Sequence, residues 1–171
     1  MTSNRRRKRD FSVKDLVLTA LMTAIVFLAT FVRHIPIPLG YAHLGDAAIF
    51  LFALFAPRRS ALFAACFGSA LADFMSGFAL WIVPTLVIKF VMAEIVCRMA
   101  DATSLIGRIG VALTLSSLWM AVAYTLAGAV LYDSFAAALG SFPGLFVEGV
   151  VNSFLALAAL PFLRGRLPRA D

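Results

Sequence analysis

Lys89 is the residue whose chemistry most needs an explanation, because it stands near the middle of an apolar run, Leu80 to Ala100. An ammonium in that position costs a few kcal/mol or more unless it faces other helices or a wet cavity, so it marks a ligand contact or a structural ion pair. Thr85 lies one turn earlier on the same helical face and Trp81 another turn beyond it. Glu148 and Asn152, four residues apart and therefore on one face of another apolar run, are the next polar groups. Glu148 is a candidate partner for Lys89, since a buried charge is tolerated when it is paired and hydrogen-bonded. Asn152 can donate and accept together, which suits a heteroaromatic ligand. Glu94 is offset from Lys89 by about 140° around the helix and is expected to pair with a basic loop residue.

A further group lies in the stretch from Arg33 to Asp46, which holds Tyr41, His43 and Asp46. Pro36 and Pro38 forbid a helix and impose an extended segment, while Gly40 and Gly45 permit turns. That composition suits an ordered lid over a site; the alternative is a connector in which Asp46 caps the following helix. Asp73 is read in the same way, as a cap or loop anchor. Trp119 and Tyr124 are expected to pack, with stacking on a ligand as the other possibility for both.

No catalytic constellation accompanies these groups. The sequence contains no G-x-S-x-G, H-E-x-x-H, C-x-x-C or P-loop motif, and Gly68-Ser69-Ala70 with Asp73 has no histidine on a neighbouring segment. Neither an enzyme, a metal site nor a covalently bound cofactor is expected.

The elements that must position these residues follow from composition. Of 171 residues, 62% are hydrophobic and 14% charged, with a mean hydropathy of +0.94. Soluble domains carry about a quarter charged residues, so there is too little polar surface here to cover a globule in water. Intrinsic disorder is excluded by the same figures, and a disulfide scaffold by two distant cysteines, Cys66 and Cys97, inside apolar runs. Apolar stretches run from Leu16 to Val32, Ala47 to Ala56, Ser60 to Met75, Leu80 to Ala100, Ile109 to Tyr132 and Phe142 to Leu163. The second is short for a span, unless a bundle shields its ends. The first is too long for the apolar core of a signal peptide and is expected to stay in the membrane.

Six of the 15 Lys and Arg fall in the first 14 residues and three in the last eight. Six spans with both termini cytoplasmic put 13 of the 15 inside, Arg33 outside and Lys89 within the membrane, as the positive-inside rule requires. The expected architecture is an all-α six-helix membrane bundle over residues 15–163, flanked by basic cytoplasmic tails at 1–14 and 164–171. Such terminal clusters report membrane orientation, and no soluble basic face exists to hold nucleic acid. Small residues four apart, Ala20 with Ala24 and Ala64 with Gly68, permit close helix approach, within the bundle or to another protein.

Several of these segments together resemble a known family. His43-Leu44-Gly45-Asp46-Ala47-Ala48, Pro57-Arg58-Arg59, Gly68-Ser69-Ala70-Leu71-Ala72-Asp73 with Ser76-Gly77, and Pro84-Thr85-Leu86-Val87-Ile88-Lys89 are similar to the S components of energy-coupling factor (ECF) vitamin transporters, riboflavin type. The likeness covers Ala20 to Lys89 and is vaguer beyond. It implies a six-helix bundle in a prokaryotic plasma membrane, an outward-opening vitamin pocket and a lid from the first external loop. It also implies assembly with a transmembrane T component and two cytoplasmic ATPases, which alone use ATP, and transport by reorientation of the whole bundle. In that family an A-x-x-x-A motif of the first helix meets the T component, and Ala20 and Ala24 match it. Ala56-Pro57-Arg58-Arg59 departs from the family in lacking a glycine beside that turn. The expected ligand is riboflavin, pyridoxine, a hydroxymethylpyrimidine or a similar small molecule. Its expected contacts are Lys89, Glu148, Asn152, Thr85, Tyr41, His43, Asp46, Trp81 and Tyr124, with Ala20, Ala24, Ala64 and Gly68 facing the partner. A stand-alone carrier or channel would need polar groups along a whole path, whereas here they concentrate in the outer half. A non-transporting scaffold would instead assemble through its small-residue faces.

Overall fold

The computed structural model describes residues 12–32 and 35–164. The basic cluster Arg5 to Arg9, Arg33, Arg166 and Arg169, on which much of the charge argument rests, lie outside the described residues. Six α-helices and one hairpin follow in chain order: α1 Val13–Phe31, β1 Ile35–Ile37, β2 Gly40–Ala42, α2 Gly45–Phe55, α3 Arg58–Met75, α4 Ile82–Met99, α5 Ile106–Leu131 and α6 Phe135–Arg164. A single 3-10 turn, Ala79–Trp81, leads into α4. The Pro36 and Pro38 segment is extended as expected: β1 and β2 pair antiparallel around Pro38-Leu39, with Ile37 opposite Gly40.

The helix ends lie where local chemistry favours them rather than where hydropathy changes. α1 begins at Val13 because Ser12 and Asp15 form a capping box, each side chain meeting the other's backbone N–H. Pro84 does not interrupt α4; it occupies the first turn, where a backbone N–H has no intrahelical partner to lose. The sixth helix starts at Phe135, seven residues before the apolar run suggested, where the Ser134 hydroxyl accepts the Ala137 N–H. It continues through Pro143, an interruption that membrane helices tolerate when neighbouring helices satisfy the freed backbone.

The helices pack in sequence, α1 on α3, α3 on α4, α4 on α5 and α5 on α6, while α2 touches α1, α3, α4 and α6. An 11-residue helix rises only about 16 Å, and burial among four others explains how so short an element persists. The burial pattern inverts that of a soluble protein. Val130 is 83% exposed and Phe162 73%, whereas Asp46, Asn152 and Lys89 are 0–1% exposed. Four helical segments, Val13–Phe31, Ala79–Met99, Ile106–Leu131 and Phe135–Arg164, are long and apolar enough to cross a membrane. α2 is too short, and α3 has the length but carries Arg58, Arg59 and Asp73. The chain is thus an all-α membrane protein with several apolar helices.

Ala64 and Gly68 are corrected in one respect: they are buried inside the bundle and present no face to a partner. A Cβ at Gly68 would stand 2.8 Å from the Val26 Cβ and 2.9 Å from the Thr23 carbonyl oxygen, so the small residues of α3 let α1 lie against it. Ala20 and Ala24 lie on the opposite, exposed side of α1. At the other end of the molecule Arg58 and Arg98 both donate to the Glu94 carboxylate, joining the start of α3 to α4. Glu94 therefore pairs with a basic residue next to the α2–α3 turn, as its position implies.

Gly68→Val is expected to separate α1 from α3 and to destabilise the protein by roughly 1–3 kcal/mol. Thermal unfolding in detergent measures it; an unchanged midpoint would mean that the two helices are not held in this contact.

Candidate functional site

Lys89 does not meet Glu148. Its ammonium is paired with Asp46, both groups being essentially inaccessible, and it also lies 5.4 Å from the centre of the Tyr124 ring and 3.9 Å from the Met92 sulfur. The reason is the position of α2 between α4 and α6, which brings Asp46 to Lys89 first. Asp46 is not a cap either: it is the second residue of α2 and is turned into the bundle, and Leu44 at the helix start supplies no side-chain bond.

Asn152 holds the same region from α6. Its Nδ2 donates to the carbonyl oxygens of His43 (2.8 Å) and Glu148 (2.9 Å), and its Oδ1 accepts the Ala47 N–H at 2.9 Å. One amide side chain thereby clamps the junction between β2 and α2 to α6. The hairpin tip is tied down separately, by the Leu39 N–H to the Ser141 hydroxyl at 3.0 Å.

A third set of bonds centres on Asp73, near the end of α3. Tyr41 donates to one carboxylate oxygen at 2.6 Å and Thr85 to the other at 2.5 Å, and Tyr124 donates to the Thr85 hydroxyl at 3.0 Å. The hairpin, α3, α4 and α5 are linked through this one group. Burial, and next the negative charge of Asp73, push the Tyr41 phenol up from its ordinary range, so Tyr41 remains a donor at neutral pH. Of the two readings open to Asp73, helix cap or loop anchor, the bond from Tyr41 fits the second, and the added bond from Thr85 extends it to α4. The signal that could have found the wider role was a carboxylate within an otherwise apolar helix, one turn before the Ser76-Gly77 turn that folds α4 back onto α3.

Between these anchors lies a cavity of about 510 Å³, counting its open mouth. The hairpin contributes Ile37, Leu39, Tyr41 and His43, and the α3–α4 side contributes Asp73, Phe78 and Trp81. The remaining wall comes from Tyr124 and Thr125 on α5 and from Ala138, Ser141, Leu145 and Glu148 on α6. Two aromatic pairs shape it: Tyr41 with Phe78, ring centres 5.1 Å apart, and Trp81 with Tyr124, 5.5 Å apart. Trp81 is fixed further by its Nε1–H to the Tyr132 hydroxyl, 3.2 Å. Trp119 donates to the Ile88 carbonyl oxygen and is a packing residue.

Of the expected ligand contacts, Tyr41, His43, Trp81, Tyr124 and Glu148 line the cavity, while Lys89, Asp46, Thr85 and Asn152 stand behind the wall. Phe78, Thr125, Ser141 and the apolar hairpin residues were not foreseen, because only the folded hairpin brings them there. His43, Asp46 and Glu148 each offer a ligand atom within 4.8 Å of the others, the geometry of a possible metal centre among the described residues. Two features oppose a metal there: Nδ1 of His43 already accepts the Gly45 N–H at 3.1 Å, and the Lys89 ammonium already neutralises Asp46.

These features define a membrane protein whose apolar helices line a partly open cavity beneath a hairpin, with aromatic walls and a few polar groups. The chain belongs to the family described as ECF-type riboflavin transporter, S component, whose model matches residues 10–164. This is a family of membrane-embedded vitamin-transporter components rather than of enzymes. A protein of Pyrococcus woesei described as "Uncharacterized protein in gap 3'region" is 39% identical over 110 residues, a match spanning 63% of this chain and 73% of that one.

Lys89→Met strands the Asp46 carboxylate in the bundle and is expected to cost about 3–5 kcal/mol of stability. The unfolding midpoint is the readout, and a variant as stable as the parent would contradict a structural ion pair.

Proposed function

We propose that this chain is the substrate-specific S component of an ECF-type ABC importer, which captures a small water-soluble vitamin or vitamin precursor from outside the cell. The observation that carries this is the cavity itself: aromatic walls with a few fixed polar groups, in a membrane protein of this family. Riboflavin, pyridoxine and a hydroxymethylpyrimidine are the ligands considered.

Tyr41, His43, Trp81, Tyr124 and Glu148 contact the ligand, and Lys89, Asp46, Thr85 and Asn152 hold those contacts in place. The hairpin is the lid, tied down by Ser141, Asp73 and Asn152, and its release opens the cavity outward. The helices make six crossings, with α2 and α3 shielded by the four longer ones, and both termini face the cytoplasm. No cofactor is attached to the chain.

Delivery requires partners: a transmembrane T component and two cytoplasmic ATPases, which bind and hydrolyse ATP and thereby reorient the whole bundle. The exposed Ala20 and Ala24 on α1 fit this role, because small residues let a second helix approach closely where lipid gives no hydrophobic drive.

Co-expression with the T component and ATPases, followed by affinity purification through a tag on this chain, tests the proposal. All three partners are expected to co-purify, and Ala20→Trp with Ala24→Trp is expected to release them while the cavity still binds its ligand. Recovery of this chain alone, or only as self-assemblies, would refute it.

A further inference from the structure

Resting on the capture role proposed above, we infer that Gly128 and Gly144 are positioning residues for the hairpin: they form the seats into which its tip closes, and the ligand passes between that tip and α5–α6. A side chain at either glycine would collide with the tip. A Cβ on Gly144 would stand 2.6 Å from Ile37 Cγ2, and one on Gly128 would stand 3.0 Å from Leu39 Cδ1 and 3.3 Å from Trp81 Cη2. The Gly144 seat is the stricter of the two, because a β-branched side chain such as Ile37 has little freedom to swing its methyl away. Dispersion contacts weaken within a fraction of an ångström, so the seats hold the tip only when it is fully down.

The hairpin is held unequally along its length. At its base β2 runs into α2, where Asn152 bonds the His43 carbonyl oxygen and the Ala47 N–H and where Asp46 meets Lys89. Halfway along, Tyr41 donates to the Asp73 carboxylate. The tip rests on the neutral Ser141 hydroxyl through the Leu39 N–H, together with the apolar contacts at the two glycines. A buried ion pair strands a charge when it parts, whereas a neutral hydrogen bond is exchanged for water at small cost. The base is the hinge and the tip is the free edge.

The helix beneath the tip is shaped to receive it. The α6 stretch Gly140-Ser141-Phe142-Pro143-Gly144 offers the hydroxyl between two glycines, and a Cβ on Gly140 would lie in ordinary contact with Pro38 Cγ, 3.8 Å away. Leu39 and Trp81 converge on the same point beside Gly128, and Ile37, Leu39, Trp81 and Ser141 all line the cavity. Trp81 is 6% exposed under the closed tip, so lifting the tip uncovers its ring and the cavity together.

Two measurements on the full-length chain in detergent test this. Trp119→Phe leaves Trp81 as the one tryptophan, and acrylamide quenching then reports its exposure with no ligand present. Gly144→Val is expected to raise the quenching constant at least twofold, and adding Ile37→Ala to restore the parent value. Leu39→Ala, which empties the Gly128 seat without altering a helix, is expected to raise it as well and decides the matter if Gly144→Val fails to fold. Unchanged quenching in the single variants, or no rescue by Ile37→Ala, overturns the inference. The second measurement shuts the tip covalently. With Cys66 and Cys97 replaced by alanine, Ile37→Cys and Gly144→Cys place two β-carbons about 3.5 Å apart, within disulfide reach. Oxidation is expected to slow exchange of riboflavin, pyridoxine or 4-amino-5-hydroxymethyl-2-methylpyrimidine, whichever the parent binds, at least tenfold, and dithiothreitol to restore it. Failure of the disulfide to form, or unchanged exchange once it has formed, overturns the inference and leaves the capture role standing. A parent chain that binds none of the three overturns the capture role instead, and the quenching decides the seats alone.

Discussion

The buried ion pair between Lys89 and Asp46 is the constraint on which the arrangement of the other elements depends. Taken alone, either charge would be very costly in a bundle surrounded by lipid. Together they fix the start of α2 against the middle of α4, where both groups are essentially inaccessible. Since the hairpin runs directly into α2, fixing Asp46 also fixes where β2 ends. Asn152 then completes the junction from the other side, meeting His43, Ala47 and Glu148 with one amide group. Pairing of this kind is a weak source of net stability but a strong source of register, because any other alignment strands a charge.

From that junction the remaining geometry follows. Tyr41 reaches Asp73 only because β2 is held at this height, and Asp73 in turn collects Thr85 and, through it, Tyr124. The cavity is what these three anchors leave open between the hairpin and α3 to α6. Its apolar surfaces come from the side chains of residues such as Ile37, Leu39, Phe78 and Leu145. The close contact of α1 with α3 lies apart from it, so the outer face of α1 is available to a neighbour without disturbing the cavity.

Much of this was legible in the sequence, for definable reasons. Helix number followed from apolar runs and their breakers, and the extended segment from Pro36 and Pro38. Lys89, Glu148 and Asn152 were singled out because polar groups in apolar helices need partners, a rule independent of topology. Which partner each one takes was not legible. Lys89 pairs with Asp46 rather than with the candidate Glu148 because Asp46, at the end of the proline-bearing segment, belongs to the short helix α2 that is buried between α4 and α6. Asp73 was legible as a loop anchor but not through which residue, because Tyr41 lies 32 residues away and no local spacing encodes that contact. Ala64 and Gly68 carry the same small-residue pattern as Ala20 and Ala24, yet one pair is buried and the other exposed. A four-residue repeat specifies a helix face but not what lies opposite it.

Charge reversal at the central pair provides the most direct measurement. Asp46→Lys and Lys89→Asp, made singly and then together, are compared by unfolding midpoint and by binding of whichever probe the parent chain retains. Each single change places two like charges in contact and should lower the midpoint sharply and abolish binding. The double change restores an opposite-charge pair between α2 and α4 and should recover a substantial part of both. A double variant no better than the singles in either readout would contradict a structure organised around this contact.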